Sequence, residues 1–195
     1  RALVFFAVDT DEVYLTTKLD GKNTKYLPFN LEYQNGAGNP PSPKGYKTAY
    51  LWEEVLQKDS FMDIINRFIH IQVEEIKIEG KKLKKEKMLF PRYHQLDVVR
   101  KIEEDVKENG AGKDYLVQHS AGSGKSNSIA WLAYRLSSLH DKKDKPIYDS
   151  VIVITDRLVL DQQLQETIFQ FEHKKGVVEK IDANSKQLAD ALTSG

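Results

Sequence analysis

The spacing of apolar side chains changes character twice along the chain. Residues 2–8 and 12–17 are rich in Val, Phe, Tyr, Leu and Thr, and Asp9-Thr10-Asp11 between them suits a tight turn, so a β-hairpin is expected. Between 19 and 45, Asp20-Gly21, Asn35-Gly36, Asn39-Pro40-Pro41 and Ser42-Pro43 interrupt any period, which predicts extended pieces joined by turns. Leu51, Trp52, Val55 and Leu56 then recur at helical spacing, and Ser60 is placed to cap a second helix carrying Ile64, Ile65, Phe68 and Ile69. Residues 71–90 alternate or run basic until Pro91 stops any helix from crossing.

Beyond Pro91 the pattern is regular. Leu96, Val99, Ile102 and Val106 mark one face of a helix ending near Asn109-Gly110, Tyr115-Leu116-Val117 reads as a strand, and Ile129, Leu132, Ala133 and Leu136 define a second helix. Val151-Ile152-Val153-Ile154 is a β-branched run of the kind buried on both faces of a sheet. Leu160, Leu164 and Ile168 give a further helix, Val177-Val178 a short strand, and Leu188 and Leu192 a last helix. Alternating helix and strand predict an α/β fold with a parallel sheet. The expected division is 1–70, a linker over 71–90, and 91–195.

Composition narrows the class. A length of 195 residues allows one large domain or two small ones. With 40% hydrophobic and 30% charged residues and no apolar stretch near the roughly 20 residues a bilayer requires, no membrane partner is expected. The apolar run after Arg1 meets acidic residues at once, which fits a strand better than a signal peptide. The absence of cysteine excludes disulfides and thiolate metal sites and fits a cytoplasmic setting. The 29 basic and 29 acidic residues cancel, so net charge selects no partner. Starting at Arg1 and stopping at Gly195, directly after a helical pattern, the chain reads as a piece of a longer protein.

The strongest chemical signal is His119-Ser120-Ala121-Gly122-Ser123-Gly124-Lys125-Ser126, between an expected strand and an expected helix. A nucleotide's phosphates need convergent backbone N–H groups. Small residues let the main chain wrap closely, and the following helix presents its positive end. Ala121, Gly122, Ser123 and Gly124 would form that cradle, Lys125 would reach the β and γ phosphates of ATP, and the Ser126 hydroxyl would ligate Mg²⁺. His119 stands where the strict P-loop pattern has glycine, a position that shapes the turn rather than supplying chemistry. Upstream, Arg92-Tyr93-His94-Gln95 opens a helix, where the Gln95 amide offers one donor and one acceptor to an adenine edge. Downstream, residues 151–155 run into Asp156-Arg157-Leu158-Val159-Leu160-Asp161-Gln162-Gln163.

Together these three segments resemble the first RecA-like motor domain of a superfamily 2 helicase. In detail they are similar to the restriction (R, HsdR-type) subunit of type I restriction-modification enzymes. Residues 5–14 and 50–56 also resemble the segment joining nuclease to motor in such subunits, so the likeness spans essentially the whole chain. It implies a partial RecA-like P-loop parallel sheet with flanking helices over 91–195, preceded by a β-hairpin and short helices from the end of a nuclease domain. It implies that Gln95 reads adenine, that Lys125 and Ser126 bind phosphate and magnesium, and that Arg157 faces DNA. The implied activity is ATP-driven translocation and endonucleolytic cleavage of double-stranded DNA. Methyltransferase (M) and specificity (S) subunits would be partners, in a bacterial or archaeal cytoplasm.

The Asp-Glu motif that holds Mg²⁺ and orients water in such motors, the arginine finger and the nuclease carboxylates are expected outside residues 1–195, so this stretch alone should turn over little ATP. Glu75-Ile76-Lys77 and Glu79-Gly80-Lys81 mimic a nuclease string, but a segment so rich in Glu and Lys produces such strings by chance. The run 81–87, with five lysines and one glutamate, suits either solvent or a phosphate backbone. Two alternatives remain: another superfamily 2 helicase or repair translocase without restriction activity, and a nucleotide-binding interaction module that uses ATP as a conformational signal.

Overall fold

A computed structural model describes residues 2–34, 36–43, 45–78, 81–155, 164–165, 167–169, 178, 181 and 185–193. The chain divides into two units, Arg1–Asp97 and Val98–Gly195.

In the first unit Asp9 builds the expected turn. Its Oδ1 accepts from the backbone N–H groups of Asp11 and Glu12, both at 2.8 Å, which reverses the chain between β1 (Phe5–Val8) and β2 (Val13–Thr16). The strands pair antiparallel with Phe5 opposite Thr16 and Val8 opposite Val13. A two-residue strand, β3 (Leu27–Pro28), adds to the other edge of β2. Val13 and Leu15 are buried, as alternation along a half-buried strand requires.

Irregular chain covers this sheet because its polar groups are satisfied by side chains. Asn39 Nδ2 donates to Asp11 O and to Asn30 Oδ1, both at 2.9 Å, and its Oδ1 accepts from Leu31 N at 2.8 Å. Phe6, Phe29, Phe90, Tyr93 and Tyr50 then meet edge to face, with ring centroids 5.3–6.2 Å apart.

The first expected helix is a π-helical segment over Leu51–Val55, and the second is α1 (Lys58–Arg67). Gln57, not Ser60, occupies the N-cap position. Ser60 sits inside the first turn, where its hydroxyl donates back to Val55 O at 3.0 Å. Residues 70–89 form an antiparallel ribbon, β4 (His70–Ile78) against β5 (Lys81–Leu89), with His70 opposite Leu89 and Ile78 opposite Lys81.

Helix α2 (Tyr93–Asn109) begins just after Pro91, and the unit boundary falls within it. In the second unit it ends as its sequence specifies. Gly110 takes the left-handed conformation, φ +76°, and donates its N–H to Val106 O at 2.8 Å. Ile102, Val106 and Leu139 form a core, with Leu132, Leu136, Ile147 and Tyr148 packed against it.

Helix α3 (Lys125–Ser137) is where the second helix was expected, but its buried stripe differs. Ser128, Ala130, Trp131 and Arg135 are buried, whereas Ile129 is 40% exposed. The deepest row therefore runs through Ser128, Trp131 and Arg135, with the aliphatic residues of the expected face to one side. Residues 164–165 and 167–169 are helical with Leu164 buried, and α4 (Ser185–Thr193) carries Leu188 and Leu192.

A parallel sheet is not present among the described residues, whose strands are all antiparallel. The runs 115–117 and 151–154 belong to no ladder. A strand exists only through a hydrogen-bonded neighbour. With none there, Leu116 and Ile154 are 93% and 87% exposed, the reverse of the two-sided burial expected. Val178 is likewise in no strand, and Leu160 and Val177 lie outside the described residues.

Candidate nucleotide-binding site

Residues 119–126 form a tight loop that feeds directly into α3. Two of its residues need φ values that favour glycine: Gly122 at +73° and Gly124 at +82°. Ser123 N donates to Ser120 O at 3.3 Å between them, closing the turn. Left-handed glycines of this kind are the backbone feature on which anion-binding nests are built. Gly124 is the N-cap of α3, and its carbonyl accepts from Asn127 and Ser128 at 3.0 and 3.3 Å. Lys125 and Ser126 begin the helix, where first-turn N–H groups have no intrahelical acceptor and the helix dipole favours an anion.

The expected residues Ala121, Gly122, Ser123, Gly124, Lys125 and Ser126 are thus brought together. Lys125 is exposed, and its ammonium folds over the loop to donate to His119 O at 3.1 Å and Ser120 O at 2.9 Å. His119, in the place of a glycine, therefore contributes a carbonyl that braces the lysine. Mg²⁺ fits this donor set as a nucleotide-borne ion. It is a hard cation that takes oxygen, and the Ser126 hydroxyl at the start of α3 would be the oxygen this chain offers it beside those of phosphate and water. Among the described residues no group of three or more His, Asp or Glu could hold a metal by itself.

Gln95 lies in the first unit, on the first turn of α2, and is buried. Its Oε1 accepts from Arg92 N at 2.9 Å, the backward reach of a third-position Gln to the N-cap N–H. Its amide oxygen therefore already serves the helix start. Arg157 and the rest of 156–163 lie outside the described residues.

Contacts not foreseen from the sequence hold the loop's supports. Arg135 of α3 and Glu103 of α2 form a buried ion pair, and Lys107 Nζ meets Glu103 Oε1 at 2.9 Å. Asp105 of α2 accepts from Lys113 Nζ at 2.6 Å and from the Tyr115 hydroxyl, tying down the segment that leads to the loop. Lys113, followed by Tyr115, holds the Asp105 carboxyl below its usual range, and the Asp105 hydrogen bond pushes the Tyr115 hydroxyl up to about 12.

A cavity of about 420 Å³ lies on α3 around Ala133, Tyr134 and Ser137, bordered by residues 151–153 and Leu188. None of the loop residues line it. No described helix is long and apolar enough to cross a membrane.

The sequence pattern of the SWI2/SNF2 ATPase family matches residues 94–195, which contain the loop, Lys125 and Ser126. No curated protein and no solved structure matches the chain. With more than half its length covered by that pattern and a glycine-bent loop opening α3, the chain belongs to the SWI2/SNF2 ATPase family, helicase-like motors of superfamily 2.

Proposed function

We propose that this chain belongs to the R subunit of a type I restriction-modification enzyme, an ATP-driven translocase and endonuclease of double-stranded DNA, with M and S subunits as partners. On this reading residues 1–70 end the nuclease domain, 71–90 join it to the motor, and 91–195 open a RecA-like domain. The runs 115–117 and 151–154 become parallel strands of that domain's sheet. The observation that carries the nucleotide part is the pair of left-handed glycines at the start of α3 with the Lys125 ammonium held against the same loop.

The chain's residues then act as follows. The N–H groups of 121–126 take the phosphate oxygens of ATP, Lys125 leaves its two carbonyls for the β and γ phosphates, and Ser126 ligates Mg²⁺. When bound, Mg²⁺ neutralises phosphate charge. The Gln95 amide group reads adenine while its oxygen keeps the helix start, and Arg157 meets DNA.

Titration of a fluorescent ATP analogue tests the nucleotide reading. Lys125→Ala should weaken Mg-dependent binding by at least tenfold, a loss of about 1.4 kcal/mol or more. Equal binding by wild type and variant would remove the loop from the proposal. The restriction assignment is tested separately by reconstituting the full R subunit with M and S partners and assaying ATP-dependent cleavage of unmethylated DNA.

A further inference from the structure

The ribbon β4–β5 is not absorbed by the nucleotide site. Its base is fixed in the first unit: His70, Leu89 and Phe90 are buried, and Thr17 Oγ1 donates to Met88 O at 2.9 Å. From that base two nine-residue strands run as a two-stranded sheet, each about 30 Å long at roughly 3.3 Å per residue. Lys84, Lys85 and Lys87 are exposed, as are Ile71 and Val73 on the neighbouring strand. An isolated two-stranded ribbon is only marginally stable.

The register makes the charge pattern specific. It opposes Glu74 to Lys85 and Glu75 to Lys84, but it sets Lys87 against Gln72, Lys81 against Ile78 and Lys77 against Lys82. Like charges directly opposite destabilise a strand pair. By register, Lys77, Lys81 and Lys82 fall at the end of the ladder away from its base.

We propose that β4–β5 is a nucleic-acid-binding ribbon whose lysines contact the phosphates of duplex DNA. The positive charges follow one another along a strand rather than forming a compact cluster. That line matches a polymer carrying a negative charge every 1.7 Å or so of its axis, and a two-stranded ribbon is narrow enough for a major groove about 12 Å wide. The choice of DNA over other polyanions rests on the motor reading above, but the ribbon lies outside the loop that binds nucleotide.

The test is fluorescence anisotropy with a labelled 30-base-pair duplex between 50 and 200 mM salt. It compares wild type with Lys84→Gln/Lys85→Gln/Lys87→Gln and with Lys77→Gln/Lys81→Gln/Lys82→Gln. ATP-analogue binding and far-UV circular dichroism are followed in parallel to show that each variant is folded. Each triple variant should bind DNA more weakly and should reduce the slope of log affinity against log salt by about 2.7, three contacts at about 0.9 each. Across that fourfold salt range wild type should therefore lose about 40-fold more affinity than either variant. An unchanged slope in both variants, or no DNA binding by wild type, overturns the proposal while leaving the nucleotide reading to its own titration. Tighter lysine-dependent binding to phosphatidylserine vesicles or to polyglutamate than to DNA at equal salt overturns it in favour of a membrane or an acidic protein.

Discussion

Arg135 on α3 is paired, out of contact with solvent, to Glu103 on α2, and both side chains are about 95% buried. The loop that opens α3 is therefore held ten residues from an ion pair anchoring the same helix. A buried pair is not by itself strong evidence of net stability, since removing two ions from water offsets their attraction, but losing one partner leaves a stranded charge. Arg135→Met should destabilise the second unit by about 3 to 5 kcal/mol in urea titrations, with Lys107 still beside Glu103. Arg135→Met/Glu103→Leu should recover most of that loss. If the double variant is no better than the single one, the pair is not the reason for the loss.

Gly122 tests the loop's backbone. Nothing lies within 4 Å of a Cβ placed there, so Gly122→Ala meets no collision and its cost is purely conformational. At φ +73° that cost should be about 1 to 2 kcal/mol. It should appear as a loss of that size in the unfolding free energy read by urea titration, with Gly122→Asn milder than Gly122→Ala.

Gln95 has a structural duty that separates from the proposed one. Gln95→Glu keeps an oxygen for Arg92 N and removes the amide donor, so thermal stability should hold while preference for ATP over GTP analogues falls. Gln95→Ala should lose both, with stability down by about 1 kcal/mol. If Gln95→Glu leaves the ATP:GTP preference unchanged, the residue only starts the helix.

The contact of Asp105 with Lys113 and Tyr115 sets a pH window. Asp105 titrates below its ordinary value in the folded chain, so its contribution is present above about pH 4 and is lost as pH falls through the lowered value. Tyr115 titrates near 12, above its ordinary value near 10, so its contribution is complete below pH 10 and disappears as pH rises through 12. Ultraviolet titration of tyrosinate should show several late-ionising groups, Tyr14, Tyr50 and Tyr115 among them, of which the one belonging to Tyr115 moves earlier in Asp105→Asn. No movement would mean that the hydrogen bond is not made in solution.

What was legible in the sequence was what is decided locally. Asp9 and the residues around it specify the first hairpin, and Leu96 to Val106 with Gly110 specify α2 and its end. The glycine-bent loop that opens α3 was equally local, because glycines, lysine and helix start lie within eight residues. The row of α3 that packs deepest was not legible. Arg135 is buried only because Glu103, thirty-two residues earlier, waits for it. Nor was it legible that residues 115–117 and 151–154 join no ladder among the described residues, since β-branched composition describes a surface that suits a strand but names no neighbour. Gln95 shows a third case: its position at the helix start was evident, while its use of one oxygen for Arg92 needed the geometry.

On the proposed function, the Lys125 ammonium, resting on the carbonyls of His119 and Ser120, would make nucleotide binding an exchange rather than an addition. Any measured affinity is the difference between the lysine's attraction to phosphate and its attraction to its own loop. Main-chain carbonyls so occupied in the free protein also lose their partner in Lys125→Ala, so that substitution perturbs both ends of the equilibrium. A cation supplied by the chain keeps an electron-rich turn compact between rounds of binding, and the empty loop is already shaped for the next anion.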